Sequence, residues 1–269
     1  IKEWYIMLYL GTISYNNFGS EIKVINEYKK YDEKFKRNYT YVDVYFPQYN
    51  WTFYGTNYNN FKKGRIACPY EPRYFKKGFI GEGKYKITEN GKQTKYYIHW
   101  KGVLERCYDE KRKDKYPRYK DCAMDESWHN FQTFCEWLDS NYYEIDGQRM
   151  CIDKDILIKG NKKYSPQTCL VVPNNINVLF TKSDKTRGEC LLGVDFRKGS
   201  GKYRARCSVE TDNGYKNITL GFYETELEAF NVYKNFKENH IKEIADKYKN
   251  QIPIQLYNAL YNYKVEITD

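Results

Sequence analysis

Zinc-ligand spacing is missing from this chain. Its eight cysteines stand at 68, 107, 122, 135, 151, 169, 190 and 207, and no pair has the C-x₂₋₄-C separation. A conventional zinc knuckle or ribbon is therefore unsupported. Histidine is scarce: His99, His129 and His240 are the only three, so few imidazoles are on offer as a base. Long apolar runs are absent too. The segment Trp4 to Leu10 is too short to span a bilayer and has no secretory cleavage pattern. No basic amphipathic helix stands out, so a membrane is not an expected partner. The glycine-rich stretch Gly78 to Gly83 is not followed by Gly-Lys-Ser/Thr, so it is no phosphate loop. No repeat of solenoid period is present.

The cysteines themselves read as free thiols of a reducing compartment, and an intracellular protein is expected. A disulfide framework does not suit a chain of 269 residues. Cys107, Cys122, His129 and Cys135 lie close enough in sequence to converge on a metal, with buried thiols as the plainer alternative.

What the chain does have is positive charge and tyrosine. Net charge is +10 and hydrophobic residues make up 41%. Real cores can form, and the partner favoured by charge is a polyanion, nucleic acid first. The 30 tyrosines combine apolar area with a polar tip, which suits small sheets and interfaces. A biased coding sequence explains them equally well.

The pattern predicts a modular α+β chain of small domains. Residues 1–75 read as a small β-rich accessory module. Val24-Ile25, Tyr41 to Phe46 and Trp51 to Tyr54 are its strand candidates, punctuated by Gly19, Pro47 and Gly55. Nucleic-acid docking, self-association and a structural role are all open to it. Residues 76–185 form a central domain. A helix is expected over 99–109, with Trp100, Val103, Leu104 and Cys107 on one side, then a basic loop over 111–120. A second helix is expected over 125–139, carrying Trp128, Phe131, Phe134, Cys135 and Leu138. Residues 186–269 form the last domain.

That last domain carries the sharpest signal. Over 202–209, Lys202, Arg204, Arg206 and Ser208 fall on one strand face, and Tyr203, Ala205, Cys207 and Val209 on the other. Val194 and Phe196 belong to the apolar side of the strand before it, Asp195 and Arg197 to the opposite side. Lys198 to Gly201 make one turn and Asp212-Asn213-Gly214 another. A third strand offers Ile218, Leu220 and Phe222 inward, with Asn217 and Thr219 outward. Thr225 and Glu228 mark a capping box, and Leu227, Ala229, Val232, Tyr233 and Phe236 follow at helical spacing. The helix should continue toward Lys249, with a short one around 254–261.

This segment resembles the plant ethylene-response-factor DNA-binding domain and its relatives in phage nucleases. The carrying residues are Gly193-Val194, Phe196-Arg197, Gly201 to Arg206, Leu220 to Tyr223 and Thr225 to Ala229. The resemblance implies a three-stranded sheet on one helix, with the sheet lying on double-stranded DNA. Arg197, Lys202, Arg204, Arg206 and Thr219 would be the DNA-binding residues. Tyr203 stands where the family has a tryptophan. The bland alternative is a solvated basic face.

Residues 150–180 read as a hairpin followed by a helix. This arrangement resembles the HNH nuclease motif, a ββα unit that clasps one divalent ion. With its flanking helices and the DNA-binding unit after it, the order resembles phage HNH homing endonucleases. The resemblance implies Mg²⁺ or another divalent cation held by Asp153 and Asn177. Asp153, Asp155 and Asn177 would be the catalytic set, and Asn161 falls near a further motif asparagine. Lys154 stands where the family has its histidine base, and a charged lysine accepts no proton. A turn held by Asp and Asn side chains is the alternative. The expectation is thus a DNA-binding phage-type protein, a metal-dependent endonuclease or nickase. Its alternatives are a catalytically inactive HNH-derived regulator and a phage factor that binds a host protein; if the chain is phage-encoded, its place is the host cytoplasm.

Overall fold

The computed structural model describes residues 8–180, 189–211 and 214–269. The Asp212-Asn213 turn and most of the Trp4 to Leu10 run lie outside the described residues. The fold is α+β with several small sheets. It divides into two compact units, Ile1–Asp139 and Ser140–Asp269. Residues on both sides of position 185 belong to the second of these. No helix among the described residues is long and apolar enough to cross a membrane.

In the first unit four antiparallel strands follow one another in chain order: β1 (Ile13–Tyr15), β2 (Glu21–Asp32), β3 (Arg37–Phe46) and β4 (Trp51–Asn57). Alternation decides which face is covered. Ile22, Val24, Val42, Val44 and Phe46 share one core with Phe61 of α1 (Tyr58–Lys62), Ile66 and Cys68. A bulge after Val24 shifts the register and brings Glu27 into the buried set. Its carboxylate accepts the Tyr9 N–H at 2.7 Å. Beyond Glu27 the β2–β3 hairpin runs on as an arm, residues 28–41, in which no residue is buried.

The aromatic helices of this unit form for the reason their spacing suggests. Helix α2 (Lys95–Tyr108) buries Tyr97, Trp100, Val103, Leu104 and Cys107. It starts four residues before the expected 99 because the Thr94 side chain caps it, accepting the Tyr97 N–H. The expected basic loop is mostly helical. Asp109 caps α3 (Glu110–Lys115), and a 3₁₀ turn over Pro117–Tyr119 follows. The helix expected over 125–139 breaks at Asn130, whose backbone is extended. A 3₁₀ turn (Glu126–His129) precedes the break and α4 (Phe131–Asn141) follows it. The Trp100 indole N–H donates to the Trp128 carbonyl at 2.8 Å, so the break does not separate the two tryptophans.

The second unit is built along one helix. Strands β5 (Met150–Asp153) and β6 (Leu170–Pro173) pair antiparallel, and α5 (Asn174–Leu179) follows directly. Strands β7 (Val194–Arg197), β8 (Lys202–Thr211) and β9 (Gly214–Tyr223) make a three-stranded antiparallel sheet. Helix α6 (Glu226–Tyr248) opens with the expected capping box of Thr225 and Glu228. At 23 residues it is about 35 Å long. Helix α7 (Ile254–Tyr261) starts after Pro253.

Each half of α6 buries a different partner. Ala229, Phe230 and Tyr233 pack with Val194, Ala205 and Cys207 of the three-stranded sheet. Ile241, Ala245 and Tyr248 pack with Leu170, Val172, Ile176 and with Leu256 and Leu260 of α7. Gly193 shows how tightly the sheet meets the helix. It has a positive φ of 77°, and a Cβ there would fall 2.1 Å from the Tyr233 ring.

The chain after α7 is tied back to α6 through Glu238, which accepts the Val265 N–H at 2.9 Å and meets the Lys264 ammonium at 3.3 Å. Burial pushes this carboxyl up, but the Val265 N–H, Lys264 and Lys234 outweigh it, and the net shift is downward. A depressed carboxyl stabilises the fold above its unfolded value and loses that contribution as pH falls through its native value. Glu238→Gln should therefore flatten the acid limb of stability against pH, read by urea denaturation between neutrality and pH 3. Leu256→Ala, at a fully buried position, should cost about 2–5 kcal/mol in the same assay at pH 7.

Candidate nucleic-acid interface

Helix α6 covers one face of the β7–β8–β9 sheet and leaves the other open. Cross-strand register places the open-face residues in rows. Asp195 pairs with Arg204, and Arg204 pairs with Phe222. Arg197 pairs with Lys202, Arg206 with Thr219 and Ser208 with Asn217. The five residues expected to meet DNA thus share this face, and Thr219 is exposed.

The arginines converge on one carboxylate. Arg204 forks onto Asp195, with Nε and Nη2 both 3.0 Å from Oδ1 and Nη2 3.2 Å from Oδ2. Arg197 Nε lies 3.0 Å from Asp195 Oδ2, and Arg206 Nε lies 3.1 Å from Oδ1. Three guanidiniums about one carboxylate leave a local charge of +2. The Arg204 side chain is only 18% exposed, against 44% for Arg197 and 38% for Arg206. Arg204 is therefore a strut. Arg197 and Arg206 reach Asp195 through Nε, which leaves their terminal amino groups for another acceptor. Lys202 meets Glu224 at 2.6 Å on the sheet rim.

Two features of this face escape a reading by strict alternation. Phe222, expected inward, is 54% exposed and stands opposite Arg204. The cause is a register shift: Ala205 pairs with Gly221 but Arg206 pairs with Thr219, so Leu220 is an extra residue and everything beyond it changes face. Gly221 inside a strand was the available signal. Asp195 was placed correctly on the open face, but its hold on three arginines depends on strand register. Phe196 remains on the helix side opposite Tyr203, yet it is half exposed at the sheet edge.

The ββα segment is closed by its own side chains. Asp153 Oδ1 accepts the N–H groups of Asp155 and Ile156, both at 2.8 Å. Burial first, then the Asp155 carboxylate, raise the Asp153 carboxyl to about 6, with those two N–H groups acting in the opposite sense. Lys154 is buried at 7% exposure. Its ammonium lies 3.0 Å from Asp155 Oδ2 and 5.8 Å from the centre of the Tyr164 ring. The Asn161 amide donates to the Lys154 carbonyl at 2.6 Å and the Lys163 carbonyl at 2.8 Å. Asn177 sits on α5, and its side chain has no hydrogen bond to Asp153 or Asp155.

A divalent ion shared by Asp153 and Asn177 fits this arrangement poorly. One Asp153 oxygen closes a turn, and the positive charge an ion would bring to Asp155 is already supplied by Lys154. The histidines are engaged elsewhere. His129 shares a 2.7 Å hydrogen bond with the Tyr108 hydroxyl, and His240 lies 3.6 Å from Glu243 on α6. No disulfide joins any of the eight cysteines, and burial pushes the Cys135 and Cys207 thiols up.

No known protein family, curated protein or solved structure matches this chain.

If Lys154 is the internal counter-charge of the turn, Lys154→Met should leave the half-exposed Asp155 without its partner and cost up to about 1 kcal/mol. Urea denaturation at pH 7 measures it. An unchanged midpoint would mean the ammonium contributes nothing there.

Proposed function

We propose that this chain binds duplex DNA through the open face of the β7–β8–β9 sheet, and that it binds without cutting. The observation that carries the reading is the cluster of Arg197, Arg204 and Arg206 around Asp195, on the one sheet face that α6 leaves bare. Arginine suits this task. Its planar fork bonds two phosphate oxygens, or O6 and N7 of guanine, in one plane. Holding three of them in register lowers the ordering entropy that binding would otherwise cost. Phe222 adds an apolar ring among the cations, suited to a thymine methyl or a sugar. Net charge of +10 supplies long-range attraction to the polyanion.

The non-cutting half rests on Lys154. Phosphodiester cleavage needs a base and an electrophile at the reacting phosphate. Here the motif's base position holds a buried ammonium paired with Asp155. The ββα segment then serves as packing for the second half of α6, with Val172 and Ile176 in that core. A DNA-binding regulator derived from an HNH-type scaffold is the function that results.

The test is a titration of a random-sequence duplex at several salt concentrations, followed by anisotropy. Affinity should fall steeply with salt. The Arg197→Ala/Arg206→Ala double variant should reduce the slope of log affinity against log salt by about 2. A slope equal to that of the parent protein would sink the interface. Supercoiled plasmid with Mg²⁺ or Mn²⁺ should stay supercoiled. Nicking that disappears in Asp153→Ala would return the chain to the nuclease class.

A further inference from the structure

We infer that the β2–β3 arm, residues 28–41, is a second duplex-DNA contact, which rests on the DNA-binding reading above. The arm has no buried residue, so core packing does not explain its composition. It carries Lys29, Lys30, Lys34, Lys36 and Arg37 against Asp32 and Glu33, a net charge of +3. Both acids are spent on the tip. Asp32 Oδ1 accepts the N–H groups of Lys34 and Phe35 at 2.9 and 3.0 Å. Glu33 lies 3.3 Å from Lys36. The positive φ of Lys36, 50°, closes the turn.

The aromatic rings back the cations. Register puts Tyr28 opposite Tyr41, Lys30 opposite Tyr39, and Asp32 opposite Arg37 on one face. Lys30 Nζ stands 5.6 Å from the Tyr41 ring centre and the Arg37 guanidinium 4.6 Å from that of Tyr39. Lys34 does the same over Phe35 at 5.4 Å. Rings covered in this way keep long side chains extended along the ribbon.

Shape and charge together select the occupant. Two paired strands are about 4.8 Å apart and fit a major groove of about 12 Å. The five residues from Tyr28 to Asp32 reach about 17 Å, beyond a groove depth of about 8.5 Å. A second copy of the arm would bring like charge against like charge, which disfavours pairing between arms. A polyanionic duplex meets both requirements.

The experiment uses the full chain and the same random duplex. Lys30→Ala/Lys34→Ala/Lys36→Ala/Arg37→Ala changes only unburied side chains, with circular dichroism as the fold control. The salt slope should fall by about 3–4, with at least a tenfold loss of affinity at low salt. In the unmodified protein, DNA should protect Lys30, Lys34 and Lys36 from amine acetylation read by mass spectrometry. This second readout needs no variant. A parental slope with no protection overturns the inference. If the Arg197/Arg206 variant still loses slope in that case, the sheet interface stands alone. No binding by the parent protein sinks both. A change in sedimentation mass of the arm variant, with parental slope, assigns the arm to self-association and overturns its DNA role.

Discussion

Helix α6 has to bury two cores with one stripe. Phe230, Tyr233, Lys237, Ile241, Ala245 and Tyr248 follow at three- and four-residue spacing along it, so a single face runs its whole length. The first part of that face closes the three-stranded sheet and the second part closes the β5–β6 pair with α7. Lys237 falls at the change-over, and burial holds its ammonium below the usual lysine value. Tyr263 packs at the edges of both cores. A four-residue strand pair is too small to stand alone, and a three-stranded sheet needs its apolar face covered. Both become stable by sharing this helix. The same constraint leaves the far side of the sheet uncovered, because the helix has no second stripe to offer.

On that uncovered side the dominant force is electrostatic, and its arrangement is economical. Three guanidiniums on neighbouring strands would repel one another. Asp195, at the centre of the row, relieves the repulsion, accepting hydrogen bonds from Arg204 and pairing in charge with Arg197 and Arg206. One acid cannot neutralise three bases, so the face stays cationic while its side chains are held in place. The ββα segment uses the same pairing with the opposite result. There one buried ammonium answers one adjacent carboxylate, and the turn is closed upon itself.

Much of this was readable along the chain. Strict alternation in β8 put Lys202, Arg204 and Arg206 on one side and Ala205 and Cys207 on the other, as they stand. Capping chemistry located the start of α6, and Pro253 located the start of α7. The aromatic stripe of α4 was legible as core. Local signals failed where one residue changes the count. Leu220 is an added residue in β9, so Phe222 turned outward against expectation. Asn130 interrupts a helix whose apolar spacing continues unbroken through it. The basic stretch after Asp109 was read as a loop because lysine-rich runs look solvated, yet its acidic cap makes it a helix.

By itself the sequence determined period, charge and caps, because each of these depends on neighbours within a turn or a hairpin. It therefore settled the α+β class, the position of α6 and the sidedness of the cationic strand. Tertiary structure alone decided which charges remain for a partner. Arg204 and Lys154 are both lysine- or arginine-type cations beside an aspartate. One is a strut in an open cationic row and the other is a buried counter-charge, and the difference lies in burial and register. Those depend on which strands pair and on what the shared helix covers, at separations that no local pattern spans.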